Sequence, residues 1–168
     1  MGLKKRKPTS KDIKIAITGN RNPLQSDHVI IKGVMDKIMS NSRVTEVVFG
    51  GAQGVDTVAL LFALLFKQEN PFHIHPRLVV MLPNTIEEQP KSTIDVTNSA
   101  DEVIELCNRI SPDDGFGSYR KRNEAMVQRV NRVVAFWNGV ARTGTFMTIN
   151  LAKSYKKQVE IIDIQGAD

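Results

Sequence analysis

Residues 44–56 read VTEVVFGGAQGVD, a β-branched run that ends in glycines and leads into a long apolar stretch. Residues 44–49 have the composition of a buried strand, and residues 55–66 continue as a helix that is apolar on most sides. Glycine allows the chain to turn tightly between the two. The stretch therefore predicts a strand–turn–helix unit whose helix packs on a sheet.

The same alternation continues along the rest of the chain. Strands that alternate with helices of this length predict an α/β fold: a doubly wound, mostly parallel Rossmann-like sheet with helices on both faces, in a single domain. Ser26 is the predicted cap of the first helix, and residues 85–99 are predicted as a helix or a lid. The predicted strands are 13–18, 44–49, 77–82, 102–107, 132–137 and 158–164, and the other predicted helices are 26–39, 55–66, 119–131 and 145–155.

The composition agrees with one folded domain. The chain has 168 residues, of which 41% are hydrophobic and 24% charged, so it resembles globular proteins rather than disordered ones. Its longest apolar stretch, residues 58–66, is too short to span a bilayer, and no secretory signal pattern is evident. Cys107 is the only cysteine, which suits a reducing compartment. We therefore expect a cytoplasmic protein that does not associate with membranes.

The positive charge is concentrated near the amino terminus. Residues 1–12 hold five of the 23 basic residues and one of the 18 acidic ones, so the remainder is nearly neutral at 18 against 17. We predict a basic flexible tail over residues 1–12 and the folded domain over residues 13–168. The tail is interpreted as a nucleic-acid-binding arm, a solubilising leader or an artificial extension.

Ligands of doubly wound sheets bind beyond the carboxyl ends of the strands, near the switch in strand order. The segments 19–21, 50–56, 108–123 and 139–145 should meet there. Glycines and a helix N-terminus present backbone N–H groups to an anion, and arginine and threonine side chains add further donors. This pattern favours a phosphate-binding pocket. The predicted ligand-binding residues are Gly19, Asn20, Arg21, Gly50, Gly51, Ala52, Gly54, Asp56, Arg122, Asn123, Gly139, Arg142, Gly144 and Thr145.

These motifs, in this order and spacing, resemble the SLOG superfamily. That group unites the Rossmann domain of Smf/DNA-processing protein A (DprA), the LOG phosphoribohydrolases and small stand-alone nucleotide-binding proteins, and the chain is most similar to the last. The resemblance covers residues 13–164 and rests on GNR at 19–21, GGAQGVD at 50–56, RN at 122–123 with Met126, and VAFWNG at 134–139 followed by Gly144 and Thr145. It implies a nucleotide or nucleotide-derived ligand, no further cofactor and a homo-oligomer.

The resemblance also bears on catalysis. In LOG enzymes a strand is followed by a PGGxGTxxE turn, whose glutamate acts with an arginine to cleave an N-glycosidic bond. In this chain Thr148 stands at the position of that glutamate. A hydroxyl group cannot replace a carboxylate in this chemistry. The sequence therefore favours a ligand sensor or carrier over an enzyme. Glu124, which follows Arg122 and Asn123, is a weak candidate for a relocated catalytic carboxylate.

Two alternative functions stay open. One is a nucleotide hydrolase, N-glycosidic or phosphoester, with a relocated carboxylate. Another is a DprA-like module that binds single-stranded DNA through basic side chains, aromatic stacking and the tail.

Residues 108–119, rich in turn formers, are interpreted as a lid over the ligand or as a surface loop. His73 and His75 are interpreted as part of a solvated loop, so no metal site is predicted.

Overall fold

The structure is a computed structural model and describes residues 12–107 and 117–167. Its described strands form one six-stranded parallel sheet in the order β4-β3-β2-β1-β5-β6. The strands are β1 (Ile13–Gly19), β2 (Val44–Phe49), β3 (Arg77–Leu82), β4 (Glu102–Glu105), β5 (Arg132–Trp137) and β6 (Gln158–Asp163). The α-helices are α1 (Gln25–Ser40), α2 (Val55–Glu69), α3 (Lys91–Asn98), α4 (Gly117–Arg129) and α5 (Gly144–Ser154).

Two hydrophobic clusters cover the two faces of the sheet. On one face the inward side chains of α1, α2 and α3 pack on residues such as Ile17, Phe49 and Val80. On the other face α4 and α5 pack on residues such as Ala16 and Val48. Because both faces are covered, the central strands are apolar almost throughout. The structure confirms the doubly wound Rossmann-like fold in a single domain.

The strand order changes direction at β1. The chain passes from β1 through α1 to β2 on one side, whereas β5, which follows α4, pairs with β1 on the other side. The crossovers that follow β1 and β5 therefore diverge to opposite faces, and the carboxyl ends of these two strands border a crevice. This is where a doubly wound sheet binds its ligand.

The predicted strand 102–107 ends at Glu105, and the predicted helices 55–66 and 119–131 are Val55–Glu69 and Gly117–Arg129. Two further elements need correction. The first helix begins at Gln25, one residue before the predicted cap, and the Asp27 carboxylate accepts the Leu24 N–H at 2.7 Å. Ser26 is therefore not the cap, because the buried aspartate satisfies the helix start. Residues 85–99 form a short 3₁₀ turn, Ile86–Glu88, and then α3, which starts directly after Pro90. A proline cannot continue a helix from the preceding turn.

Parts of two sequence predictions lie outside the described residues. These parts are residues 1–11 of the predicted basic tail and residues 108–116 of the predicted lid. Within the ranges that the structure describes, no helix combines the length and the apolar character needed to cross a membrane.

Candidate functional site

A cavity of about 730 Å³ opens at the carboxyl edge of the sheet, beside the ends of β1 and β2 and against α4 and α5. This volume falls within the range of small-molecule sites. The sequence prediction placed a site at this edge, and ten of its fourteen ligand-binding residues line the cavity. They are Gly19, Arg21, Gly50, Ala52, Asp56, Arg122, Asn123, Arg142, Gly144 and Thr145.

Two glycines of the β2–α2 turn serve packing. Gly54 has φ +90°, and a Cβ there would lie 2.2 Å from the carbonyl oxygen of Arg21. Gly51 has φ +71°, and a Cβ there would lie 2.4 Å from Leu82 Cδ2. Neither residue lines the cavity. These glycines let the turn approach its neighbours closely, which fixes the start of α2 beside β1.

Asn20 ties together the two loops at the switch point. Its side chain is completely buried, and its Oδ1 accepts the backbone N–H of Asn138 at 2.9 Å. Its own carbonyl accepts the N–H of Val55 at 3.1 Å. Asn20 therefore joins the ends of β1 and β5 to the start of α2, and it does not line the cavity. Gly139, at φ +85° in the loop after β5, lies outside the lining as well.

A buried carboxylate and a buried guanidinium form the wall next to β2. Asp56 and Arg122 are 7% and 6% exposed, although their positions are 66 residues apart in the chain. Arg122 donates through Nη1 to the Gly50 carbonyl and through Nε to Asn123 Oδ1, the latter at 2.6 Å. The Asp56 carboxylate accepts the N–H of Ala52 at 3.2 Å. Both charged groups are thus held by neighbours before any ligand arrives.

Burial shifts the pKa values of both Asp56 and Arg122. Desolvation raises the pKa of Asp56 to about 6, against the opposing effects of Arg122, the backbone N–H groups of Ala52 and Gly50, and Arg21. Desolvation also lowers the pKa of Arg122 from its ordinary value, and the Asp56 charge opposes that change. A buried carboxylate with a raised pKa in a cleft is a feature of functional sites.

The raised pKa makes stability depend on pH in a defined direction. The folded protein binds the Asp56 proton more tightly than the unfolded chain does. The contribution of this proton to the free energy of unfolding is therefore complete below pH about 4 and is lost as the pH rises through about 6. A shift from 3.8 to about 6 corresponds to roughly 3 kcal/mol. Relative to Asp56→Asn, the wild-type protein should therefore lose roughly 3 kcal/mol of unfolding free energy between pH 4 and pH 7.5.

Urea denaturation across this pH range measures the effect. Asp95→Asn, a substitution at an exposed position of α3, is the matched control because it also removes one carboxylate. Parallel pH profiles for the wild-type protein and Asp56→Asn would contradict the assignment.

Tyr119 lies near two arginines that also line the cavity. The guanidinium carbons of Arg21 and Arg122 are each 5.8 Å from the centroid of its ring. Such cation–π contacts orient the ring and the cations together. A half-buried aromatic ring beside cationic groups is a surface on which a nucleobase can stack.

The start of α5 forms the opposite wall. Thr143 caps the helix by accepting the N–H of Phe146 at 3.2 Å, so Gly144 and Thr145 occupy the first turn. Thr145 is 3% exposed, yet its hydroxyl forms no hydrogen bond with any other part of the described chain. Arg142 lies at φ +64°, a strained conformation for a residue with a side chain. Helix N–H groups, a hydroxyl and a guanidinium therefore converge on one place.

Sequence reasoning missed the part of the inner face of α5 that lies beyond its first turn. Met147 and Leu151 line the apolar floor of the cavity, and Asn150 and Ser154 lie along it as well. Within each of these pairs, Met147 with Leu151 and Asn150 with Ser154, the two residues are four positions apart, which is the spacing of residues on one helix face. That spacing was the available signal, and it does not distinguish a cavity floor from ordinary core packing.

The two residues considered for catalysis lie elsewhere. Glu124 accepts a hydrogen bond from the Tyr155 hydroxyl between α4 and α5 and does not line the cavity. Thr148 is buried, and its hydroxyl donates to the Gly144 carbonyl at 3.0 Å. Asp56 is thus the only carboxylate among the described residues that line the cavity.

Comparison with known proteins identifies the family. The family model for DNA recombination-mediator protein A matches residues 5–167, so the chain belongs to that family. This confirms the resemblance to the SLOG superfamily that the motifs suggested. No curated protein sequence matches the chain at a significant level.

A solved structure shares the fold. The X-ray structure of DNA processing protein A (DprA) from Streptococcus pneumoniae matches with a TM-score of 0.69 at 16% sequence identity. The match covers 90% of this chain and 50% of that protein, so this chain spans about half its length. At this identity the likeness establishes the fold.

Proposed function

We propose that this protein binds a nucleotide or nucleotide derivative in the cavity at the carboxyl edge of the sheet. One observation carries the proposal: an apolar floor, an aromatic ring, and the capped start of α5 with the unpartnered Thr145 hydroxyl border the same space. A nucleobase needs the apolar floor and the aromatic ring, and a phosphate needs the start of α5. The cavity supplies complementary chemistry for both ends of such a ligand.

The charge of the lining supports an anionic ligand. Among the described residues that line the cavity, four are arginines, at positions 21, 120, 122 and 142, and one, Asp56, is a carboxylate. Because Asp56 and Arg122 offset each other in the wall next to β2, the described lining has further positive charge on Arg120 and on Arg142 beside α5. Arginine binds phosphate oxygens through two parallel hydrogen bonds, so this excess favours a phosphate-bearing molecule.

The arrangement supports binding rather than cleavage. Thr148 is fully engaged by the helix backbone, and Glu124 lies outside the cavity. We therefore favour a ligand sensor or carrier. A nucleotide hydrolase is the enzymatic alternative, and Asp56 replaces Glu124 as its candidate carboxylate because, within the described part of the chain, it is the carboxylate that lines the cavity.

Single-stranded DNA is the second candidate ligand, favoured by the family to which the chain belongs. Arg120 lines the cavity and Lys121 beside it is exposed, so a strand could continue from the cavity along the start of α4. Binding of this kind neutralises several phosphates and weakens steeply with salt.

Substitutions at the start of α5 test the proposal. Arg142→Ala and Thr145→Val should each weaken nucleotide binding by roughly 10-fold or more, because each removes a hydrogen bond to a charged phosphate. Arg43→Ala is the matched control, since Arg43 is exposed and directly precedes β2 at the opposite edge of the sheet. Isothermal titration calorimetry measures the affinities. If both α5 variants bind with wild-type affinity, the phosphate does not lie at α5.

A further inference from the structure

The cavity has two chemically different walls. The wall at the start of α5 holds Thr145 and Arg142 and, among the residues that the structure describes, no carboxylate. The wall next to β2 holds Asp56, beside the guanidinium of Arg122. A phosphate is attracted to the first wall, whereas at the second wall the Asp56 carboxylate already offsets the charge of Arg122. A bound nucleotide is therefore oriented with its phosphate towards α5 and with an uncharged part towards Asp56.

Gly50 keeps the carboxylate accessible. A Cβ at this position would lie 2.8 Å from Asp56 Oδ2 and 2.9 Å from Arg122 Nη1, so any side chain would fill the space between the two groups. Two backbone N–H groups act on that carboxylate, that of Ala52 at 3.2 Å from Oδ2 and that of Gly50. An ionised carboxylate accepts about four hydrogen bonds, which leaves capacity for donors on a ligand. Because burial raises the pKa of Asp56 to about 6, such donors also offset the cost of its desolvation.

The group that suits this wall is neutral and donates two hydrogen bonds from adjacent atoms. The 2′ and 3′ hydroxyls of ribose have this geometry, and acidic side chains after the second strand bind ribose hydroxyls in other dinucleotide-binding sheets. A 2′-deoxyribose offers one of these hydroxyls, and a sugar within a DNA strand offers none. The chemistry of Asp56 therefore discriminates between classes of ligand.

We propose that Asp56 binds the free 2′,3′-diol of ribose, so that the cavity selects ribonucleotides over deoxyribonucleotides and over DNA. This inference rests on the proposed function and names the ligand class of the same site. Asp56 is then a specificity-determining residue, and Gly50 is the position that gives the sugar access to it.

Calorimetric titration of the full chain with three sets of compounds tests the inference. The sets are the four ribonucleoside 5′-monophosphates, their 2′-deoxy counterparts and their 2′,3′-dideoxy counterparts. For the base that binds most tightly, the ribonucleotide should bind roughly 10-fold to 100-fold more tightly than the dideoxy compound, as expected for hydrogen bonds to a charged group. In Asp56→Asn this ratio should fall below about 3, with dideoxy binding little changed.

The outcomes separate the two proposals. Equal affinity of the wild-type protein for ribo and dideoxy compounds overturns the ribose assignment and leaves the proposed function intact. Retention of the wild-type ratio in Asp56→Asn overturns the role of Asp56. If the wild-type protein binds none of the compounds, the proposed function fails and the ribose inference with it. The wild-type series needs no variant to fold, so the inference is testable even if Asp56→Asn is unstable.

Discussion

Gly54→Ala is expected to lower the free energy of unfolding by at least about 3 kcal/mol, from the combined cost of a positive φ and a backbone clash. The new Cβ would lie 2.2 Å from the Arg21 carbonyl oxygen, and the backbone at φ +90° disfavours any L side chain. A shift of β1 away from α2 would not relieve this clash without cost, because it would break the hydrogen bond from the Val55 N–H to the Asn20 carbonyl. The glycine therefore stabilises the corner between the end of β1 and the start of α2, beside the wall that holds Asp56.

Urea denaturation of Gly54→Ala measures this loss. The matched control is Gly144→Ala, since a Cβ at Gly144 meets no atom within 4 Å and its φ is not positive. That control should change the unfolding free energy by less than about 1 kcal/mol, as is usual for substitutions that create no clash. Similar values for the two variants would show that the close approach at Gly54 does not limit stability.

Arg122→Met is expected to cost roughly 3 kcal/mol or more at pH 7.5, because it leaves a buried carboxylate without its compensating charge. It also removes the donors to the Gly50 carbonyl and to Asn123 Oδ1. Without the guanidinium, the pKa of Asp56 should rise further above about 6. The cost of the substitution should therefore shrink as the pH falls and Asp56 becomes protonated.

A double-mutant cycle isolates the coupling between the two charges. Asp56→Asn should recover part of the stability lost in Arg122→Met, because the double variant buries no uncompensated charge. Additive effects of the two substitutions at pH 7.5 would mean that Asp56 and Arg122 are not electrostatically coupled.

The sequence predicted most of the fold because its signals are local. β-branched runs such as Val44–Phe49 end at glycines, and their boundaries match the observed strands closely. The site's position also followed from topology, since the turns after parallel strands meet at one edge. The break at Pro90 was missed although its signal is also local, because the helical pattern of residues 85–99 continues across a proline that stops the helix.

Individual roles within the site depended on contacts between distant residues. Asn20 and Gly54 fit a phosphate-binding pattern, but the structure uses them to hold neighbouring loops together. The buried wall of Asp56 and Arg122 joins the β2–α2 turn to α4, and no spacing in the sequence links those elements. Tertiary packing decides which polar residue faces the cavity and which supports it.

The most direct test of nucleotide binding is calorimetric titration of the wild-type chain at two salt concentrations, with nucleoside monophosphates, nucleoside diphosphate sugars and single-stranded oligonucleotides. We predict saturable binding of at least one small nucleotide. Its affinity should change little with salt, since the ligand contacts only a few charged groups. Salt-dependent binding of oligonucleotides, with no signal from any small nucleotide, would contradict this account and favour the DNA-binding alternative.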